Sequence, residues 1–286
     1  VWYRREFTVP VDWFSKRILI HFGASDYETE VWINGKLAGS HKGGYTSFNF
    51  DITDLLVKGV NVVTVCASDD VRSRLQPRGK QSSLYLSHHC DYTRTTGIWQ
   101  TVWLESVPEN YIVSVKYIPD PQNACVHINA TLAGSVCNNH FFKAEAFYGD
   151  KIVGTAVSEL KGNNICMSLK LSEIHLWDPD SPNLYNLKLY LLNNKGNNEY
   201  NNGFLYQPVD FIKSYFGLRT IVIDKGAMLL NGKPVFQRLV LDQGYYPDGI
   251  YTAPSDSDLK KDVEISLALG FNGARLHQKV FEPRFL

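Results

Sequence analysis

Three short segments hold the side chains best suited to chemistry. The first is Gly273-Ala274-Arg275-Leu276-His277-Gln278-Lys279. An arginine at the end of a strand can keep a reacting carboxylate ionised through charge-assisted hydrogen bonds. Arg275 is therefore a candidate site residue, with His277 and Lys279 beside it; a structural ion pair is the plainer role for the same arginine. The second segment is Leu241-Asp242-Gln243-Gly244-Tyr245-Tyr246-Pro247-Asp248. Asp242 suits orienting a hydroxyl, and Tyr245 or Tyr246 suits stacking on a ring. Equally, Asp242 caps a turn and the tyrosines cover a rim. The third is His88-His89-Cys90-Asp91, which has metal-ligand residue types. Adjacent ligands on one loop rarely converge on one ion, and no matching pair follows, so no metal is expected. Among the tryptophans, Trp32 and Trp103 fall on predicted strands and read as core, whereas Trp99, beside Gly97, is a candidate stacking surface. Asn129-Ala130-Thr131 matches a glycosylation sequon inside a predicted strand and reads as chance.

The first two segments lie at the ends of two predicted strands. Val235–Leu241 is a buried apolar run, and Phe271–Leu276 is a second strand. Between them, Ser255 followed by Asp258 resembles a capping box. Leu259, Val263, Ile265, Leu267 and Leu269 give an imperfect amphipathic stripe over Asp256–Leu269, closed by Gly270. Strand, helix and strand in this order form a βα unit leading into a parallel sheet. Parallel strands need cover on both faces, and a (β/α)₈ barrel takes about 250 residues, with its sites at the C-terminal strand ends. Residues 218–286 are thus expected to be the start of an incomplete barrel. The chain opens on strand-like Val1-Trp2-Tyr3 without a methionine, so a missing N-terminus is also expected.

The rest reads as β structure. In residues 1–107, Arg17–Phe22, Glu28–Ile33 and Asn61–Ala67 are rich in β-branched or aromatic residues and bounded by turn signals such as Asn34-Gly35-Lys36. A jelly roll is expected there. Residues 108–217 have candidate strands at 111–118, 124–133, 142–148, 151–157, 165–171 and 186–192, with an exposed hairpin tip over Asn193–Asn202. Six or seven strands in that span fit an immunoglobulin-like sandwich.

Composition narrows the function classes. The 286 residues are 44% hydrophobic and 20% charged, which excludes a disordered chain. Twenty-nine basic and 29 acidic residues cancel, giving no reason to expect nucleic acid or an anionic membrane as partner. No apolar run reaches the ~18 residues of a membrane helix. Cys66, Cys90, Cys125, Cys137 and Cys166 are odd in number without a CxxC, which argues against a disulfide framework and favours a cytoplasmic compartment.

Five motifs in order carry a resemblance. They are Trp2-Tyr3-Arg4-Arg5-Glu6-Phe7, Glu30–Gly35 through Gly43-Gly44-Tyr45 and Phe50–Thr53, Tyr92–Glu105 around Gly97-Ile98-Trp99, Phe216–Arg219, and Leu230–Pro234. Together they resemble family-2 glycoside hydrolases of the β-galactosidase/β-glucuronidase type along nearly the whole chain. The resemblance implies a retaining mechanism with two glutamates, one protonating the leaving group and one attacking the anomeric carbon, ~5–5.5 Å apart. In the family these follow barrel strands four and seven, so the catalytic pair is expected beyond Leu286. Glu264 and Glu282 do not match it, and the 286-residue chain alone is expected to be inactive. The resemblance implies sugar contacts for Asp242, Tyr245, Arg275, His277, Lys279 and Trp99. It implies another for Asp91, which in related β-galactosidases reaches the sugar and a sodium ion. It implies no cofactor in this chain, a sodium or magnesium ion in the parent, and leaves homo-oligomerisation open. β-Galactosidase is the leading substrate class, but His277-Gln278-Lys279 stands where better-known β-galactosidases have a Ser-His pair, which keeps β-glucuronidase and β-mannosidase as alternatives. A free-standing carbohydrate-binding module and an inactive relative are the competing readings; the βα tail argues against the former.

Overall fold

The computed structural model describes residues 1–73, 75–135, 139–198 and 203–286, with backbone alone for 195–198 and 203–205. The protein is mainly β, with one longer helix, Asp256–Ala268. It divides into two compact units: Val1–Ser106 with Gln237–Leu286, and Val107–Phe236. No helix among the described residues is long and apolar enough to cross a membrane.

The first unit holds two larger antiparallel sheets. One has the order Trp2–Thr8, Val60–Ser68, Glu28–Ile33, Lys36–Lys42; the other has Phe48–Asp51, Arg17–Phe22, Val102–Val107. Strand alternation assigns the faces. In Glu28–Ile33 the residues Thr29, Val31 and Ile33 are buried, and they pair with Ala67, Val65 and Val63. Ile18, Ile20, Phe22 and Ile52 complete the apolar core. Asn34 and Gly35 take φ of 52° and 78°, the positive values a tight hairpin needs. The Asn34 amide also donates to Leu55 O and to the Oδ1 of fully buried Asn61, so one residue makes the turn and ties it to the neighbouring loop.

Trp103 departs from its expected place in the core. It points outward, 44% exposed, and stacks on His21 at 4.9 Å. Its strand alternates, and Trp103 falls on the solvent phase. Trp32 is half-buried and stacks on exposed Trp2 at 5.6 Å.

In the tail, Leu239–Asp242 and Gly273–Leu276 pair in parallel, with Val240 opposite Ala274. Ser255 caps the intervening helix by accepting from Asp258 N, and Gly270 has φ +87° just past its end. The run Val235–Leu241 is not buried as expected: Phe236 is 79% exposed and Leu241 50%. Among the described residues each tail strand has one hydrogen-bonded partner. On the helix Leu259 is buried, while Leu267 and Leu269 are exposed.

The second unit has a three-stranded antiparallel sheet, Tyr111–Asp120, Cys125–Ala133, Asn164–Lys170. A four-stranded one has the order Lys151–Glu159, His140–Tyr148, Tyr185–Asn198, Gly203–Phe216. Val126, Ile128, Phe142, Ala144, Leu187, Leu189 and Leu191 are almost wholly buried. The strand Gly203–Phe216 has no counterpart in the sequence reading, and strand structure runs on through Asn193–Asn198, where an exposed tip was expected. The remainder of that tip, like Cys137, lies outside the described residues.

Candidate functional site

In the first unit the tail packs against residues 1–106 through an aromatic cluster. Tyr251 and Trp99 are buried at 1% and 5% exposure, with Tyr45 and Tyr245 against them. The Tyr45 and Tyr251 hydroxyls lie 3.0 Å apart, and Trp99 Nε1 donates to Gly44 O at 2.7 Å. Thr252 Oγ1 donates to Trp99 O at 2.6 Å. Burial raises the Tyr45, Tyr245 and Tyr251 hydroxyls above their ordinary phenol range, so all three stay protonated at neutral pH.

Lys279 sits among these rings. Its Nζ donates to Gly244 O at 2.5 Å and Tyr251 O at 2.8 Å. It lies 4.7 Å from the Tyr251 ring centroid and 5.0 Å from that of Trp99. Burial lowers its pKa to about 8, against the opposing pull of Glu282 and Asp242. Lys279 and Trp99, both expected to touch ligand, are thus engaged by protein: the ammonium by two carbonyls and a ring cage, the indole by Tyr251 and Gly44. Tyr245 stacks on Tyr92 at 4.3 Å and meets Tyr251 edge-on.

A cavity of about 850 Å³ adjoins the cluster, walled by Tyr27, Gly43–Thr46, Pro77–Gly79 and Gln278–Val280. Glycines are required where its walls touch. A Cβ on Gly79 would lie 2.2 Å from Gln278 O, and one on Gly44 would lie 2.3 Å from Asp26 Oδ1. Arg78 contributes the unmet polar group: its Nη1 is buried without a hydrogen-bond partner, and its Nη2 is 3.9 Å from Asp91 Oδ2. A buried guanidinium nitrogen without an acceptor is costly.

Asp26 lies under this wall and was not singled out from the sequence. It is 3% exposed, and its Oδ2 accepts from Gln81 Nε2 at 2.7 Å. Burial, with a smaller push from Asp69, raises its pKa to about 6; the Gln81 bond opposes the shift. The Gln81 Oε1 accepts from Thr95 N, so the glutamine links the carboxylate to the loop before Gly97. An Asp in a short strand gives no sequence signal of this, because partners 55 residues apart create it.

The other anticipated residues divide. Asp242 Oδ1 accepts from Gly244 N at 2.8 Å, a turn-capping bond, and burial raises its pKa. His277 Nδ1 is 3.0 Å from Gln243 Oε1, so a neutral ring keeps its proton there and presents Nε2 as acceptor. Desolvation, then the charges of Arg275 and Lys80, hold the imidazole below its usual range. Backbone pairing brings the two strand ends together, His277 N donating to Asp242 O at 2.9 Å. Arg275 is exposed. Asp91 faces Arg78 rather than an oxygen cage, so its surroundings do not fit a sodium or magnesium ion. Glu264 pairs with Lys260 on the exposed helix face, and buried Glu282 accepts from Arg284 Nε at 2.6 Å.

Comparisons with known proteins agree with this architecture. The family model for the sugar binding domain of glycosyl hydrolases family 2 matches residues 1–108, and the model described as glycosyl hydrolases family 2 matches residues 105–219. A β-galactosidase of Thermoanaerobacter pseudethanolicus is 28% identical over 284 residues, covering 96% of this chain and 36% of its own. A β-glucuronidase of Rattus norvegicus is 27% identical over 253 residues, covering 82% and 37%. The crystal structure of a Bacteroides uniformis β-glucuronidase superposes with a TM-score of 0.76 at 22% identity, covering 99% of this chain and 34% of its own. The chain spans about a third of the length of these relatives. With two models of one family matched in succession across residues 1–219, the chain belongs to the glycosyl hydrolases family 2.

Proposed function

We propose that this chain is the front part of a retaining exo-β-glycosidase, a jelly roll and an immunoglobulin-like sandwich leading into the first strands of a (β/α)₈ barrel. The observation that carries the reading is the family match together with relatives named β-galactosidase and β-glucuronidase that align along most of the chain. The parallel pair Leu239–Asp242 and Gly273–Leu276, joined by a helix, supports the barrel. On this reading the acid/base and nucleophile glutamates lie outside these residues, as the family resemblance implies, and Glu264 and Glu282 pair with Lys260 and Arg284. Asp242, Arg275 and His277 contact the sugar at the strand ends, and Asp91 is held toward it by Arg78. Tyr245, Trp99 and Lys279 shape the wall behind them.

Between substrates, the β-galactoside and β-glucuronide readings stand level on the relatives' names. The test is hydrolysis of chromogenic β-galactoside, β-glucuronide and β-mannoside by this 286-residue chain and by the full product of its gene. Turnover of one substrate by the full product alone is the expected result. Turnover by the 286-residue chain itself would place the catalytic carboxylates within it and overturn the assignment of the missing pair.

A further inference from the structure

The second unit brings together three potential metal ligands that are not adjacent in sequence. Asp120 ends one strand and Cys125 begins the next, directly opposite each other in the antiparallel register. His127 lies two residues further on, hence on the same face of the sheet as Cys125. His127 Nε2 is 3.6 Å from Asp120 Oδ2 and 3.9 Å from Cys125 Sγ, and the three ligand atoms all lie within 4.8 Å of one another. Tetrahedral zinc with bonds of about 2.0–2.3 Å has ligand–ligand edges of roughly 3.3–3.7 Å. Closure onto an ion therefore asks for movements of an ångström or less.

The surroundings orient each ligand. His127 Nδ1 is 2.7 Å from Ser168 Oγ on the neighbouring strand, where Ser168 is its register partner. With the proton on Nδ1 donated to that hydroxyl, the Nε2 lone pair points toward Asp120 and Cys125, the arrangement that fixes metal-binding histidines. Asp120 is held by Asn123, whose backbone N donates to Oδ1 at 3.1 Å and whose Nδ2 donates to Oδ2 at 2.7 Å. Cys125 is a free thiol, 2% exposed. Lys170, its register partner, sends Nζ to Asn123 O at 3.1 Å. The imidazole is 39% exposed, leaving room for water as a fourth ligand.

We propose that Asp120, Cys125 and His127 form a binding site for a zinc-class divalent cation on the outer face of this sheet. Mixed sulfur, nitrogen and oxygen ligation selects zinc over magnesium and calcium, which take oxygen. Unlike the adjacent residues of His88–Asp91, these ligands are brought together by the pairing of Asp120 with Cys125.

The test uses the whole chain, freed of metal by chelation. Titration with zinc against a chromophoric chelator is expected to give one tight equivalent, accompanied by proton release from the thiol. Cobalt in place of zinc is expected to show a thiolate-to-metal charge-transfer band. Cys125→Ser removes that band, and Cys125→Ser and His127→Gln each weaken zinc binding about 100-fold or more. Ser168→Ala weakens it about 10-fold by releasing the imidazole. The cobalt spectrum of the unaltered chain needs no variant to fold. Absence of a tight equivalent or of the band overturns the site, as does zinc binding that survives both substitutions and is lost only on changing His88 and His89.

Discussion

The interior of the Val107–Phe236 unit and the aromatic cluster around Tyr251 exclude water by different means. The first packs apolar side chains from two facing sheets: Leu187, Leu189 and Leu191 on one strand, Phe142 and Ala144 on its neighbour, and Val126 and Ile128 from the other sheet. These carry no polar side-chain atom; the phenol of wholly buried Tyr185 in the same core donates to Glu173 O and accepts from His175 N, so burial of apolar surface is the larger contribution there. The second cluster is built from Trp99, Tyr45, Tyr245, Tyr251 and Lys279, each with a polar group that must be met. The Tyr45 and Tyr251 hydroxyls, the indole N–H and the ammonium bond one another or main-chain carbonyls, while the Tyr245 hydroxyl is buried without a hydrogen-bond partner. An apolar interior tolerates volume-conserving change, whereas a polar one fails when a single partner is withdrawn.

Phe142→Ala should have the largest effect, a loss of about 3–5 kcal/mol in urea unfolding of the Val107–Phe236 unit, because it removes a wholly buried ring. A loss under about 1 kcal/mol would show that this interior refills and would weaken the contrast. Lys279→Met keeps the stem and removes the ammonium, leaving the Gly244 and Tyr251 carbonyls without that donor. We expect a loss of about 2 kcal/mol, read as faster hydrogen exchange in residues 244–252. A gain in stability would mean that the cost of burying the charge exceeds its bonds, and the cluster would then be apolar in energetic character.

Asp26 sharpens the same contrast through pH. Its folded-state pKa is raised from 3.8 to about 6. The folded chain therefore binds more protons than the unfolded one across that window, and this residue's contribution to stability falls as pH rises from about 4 to about 6. Above that it stays at its lower level. Asp26→Asn keeps an acceptor for Gln81 and abolishes the titration. The variant should match the parent near pH 4 and exceed it by on the order of 2 kcal/mol at pH 7. A pH-independent difference between the two would remove the buried carboxylate from the argument. The smallest effect belongs to Trp103→Ser. This outward-facing ring should change stability by about 0.5 kcal/mol or less, and a larger loss would restore it to the core.

The candidate site was legible in part. Its segments were visible as strand ends with unusual chemistry, and Asp242 and His277 do meet through the parallel pair that joins those ends. Lys279 and Trp99 stand out in the sequence by residue type, which does not show the carbonyls that engage them. Asp26 and the Asp120–Cys125–His127 set left no local trace, since their character comes from Gln81 and Ser168, 55 and 41 residues away. The strand Gly203–Phe216 was missed for a related reason. Polar Asp210 and Ser214 share its half-buried face with Ile212 and Phe216, while Phe211 and Tyr215 are exposed, so apolar alternation does not mark it.

By itself the sequence determined the mainly β architecture, the Asn34-Gly35 hairpin, the capped helix after Ser255, and the succession of motifs that carries the family. Each depends on nearest neighbours or on a period of two or 3.6, which backbone geometry imposes locally. Tertiary structure decided which aromatic rings became wall and which faced outward, that Lys279 would be enclosed, and that Asp26 would lose its water. Those outcomes follow from desolvation and from hydrogen-bond partners supplied by distant segments, and neither quantity exists until the chain has closed on itself.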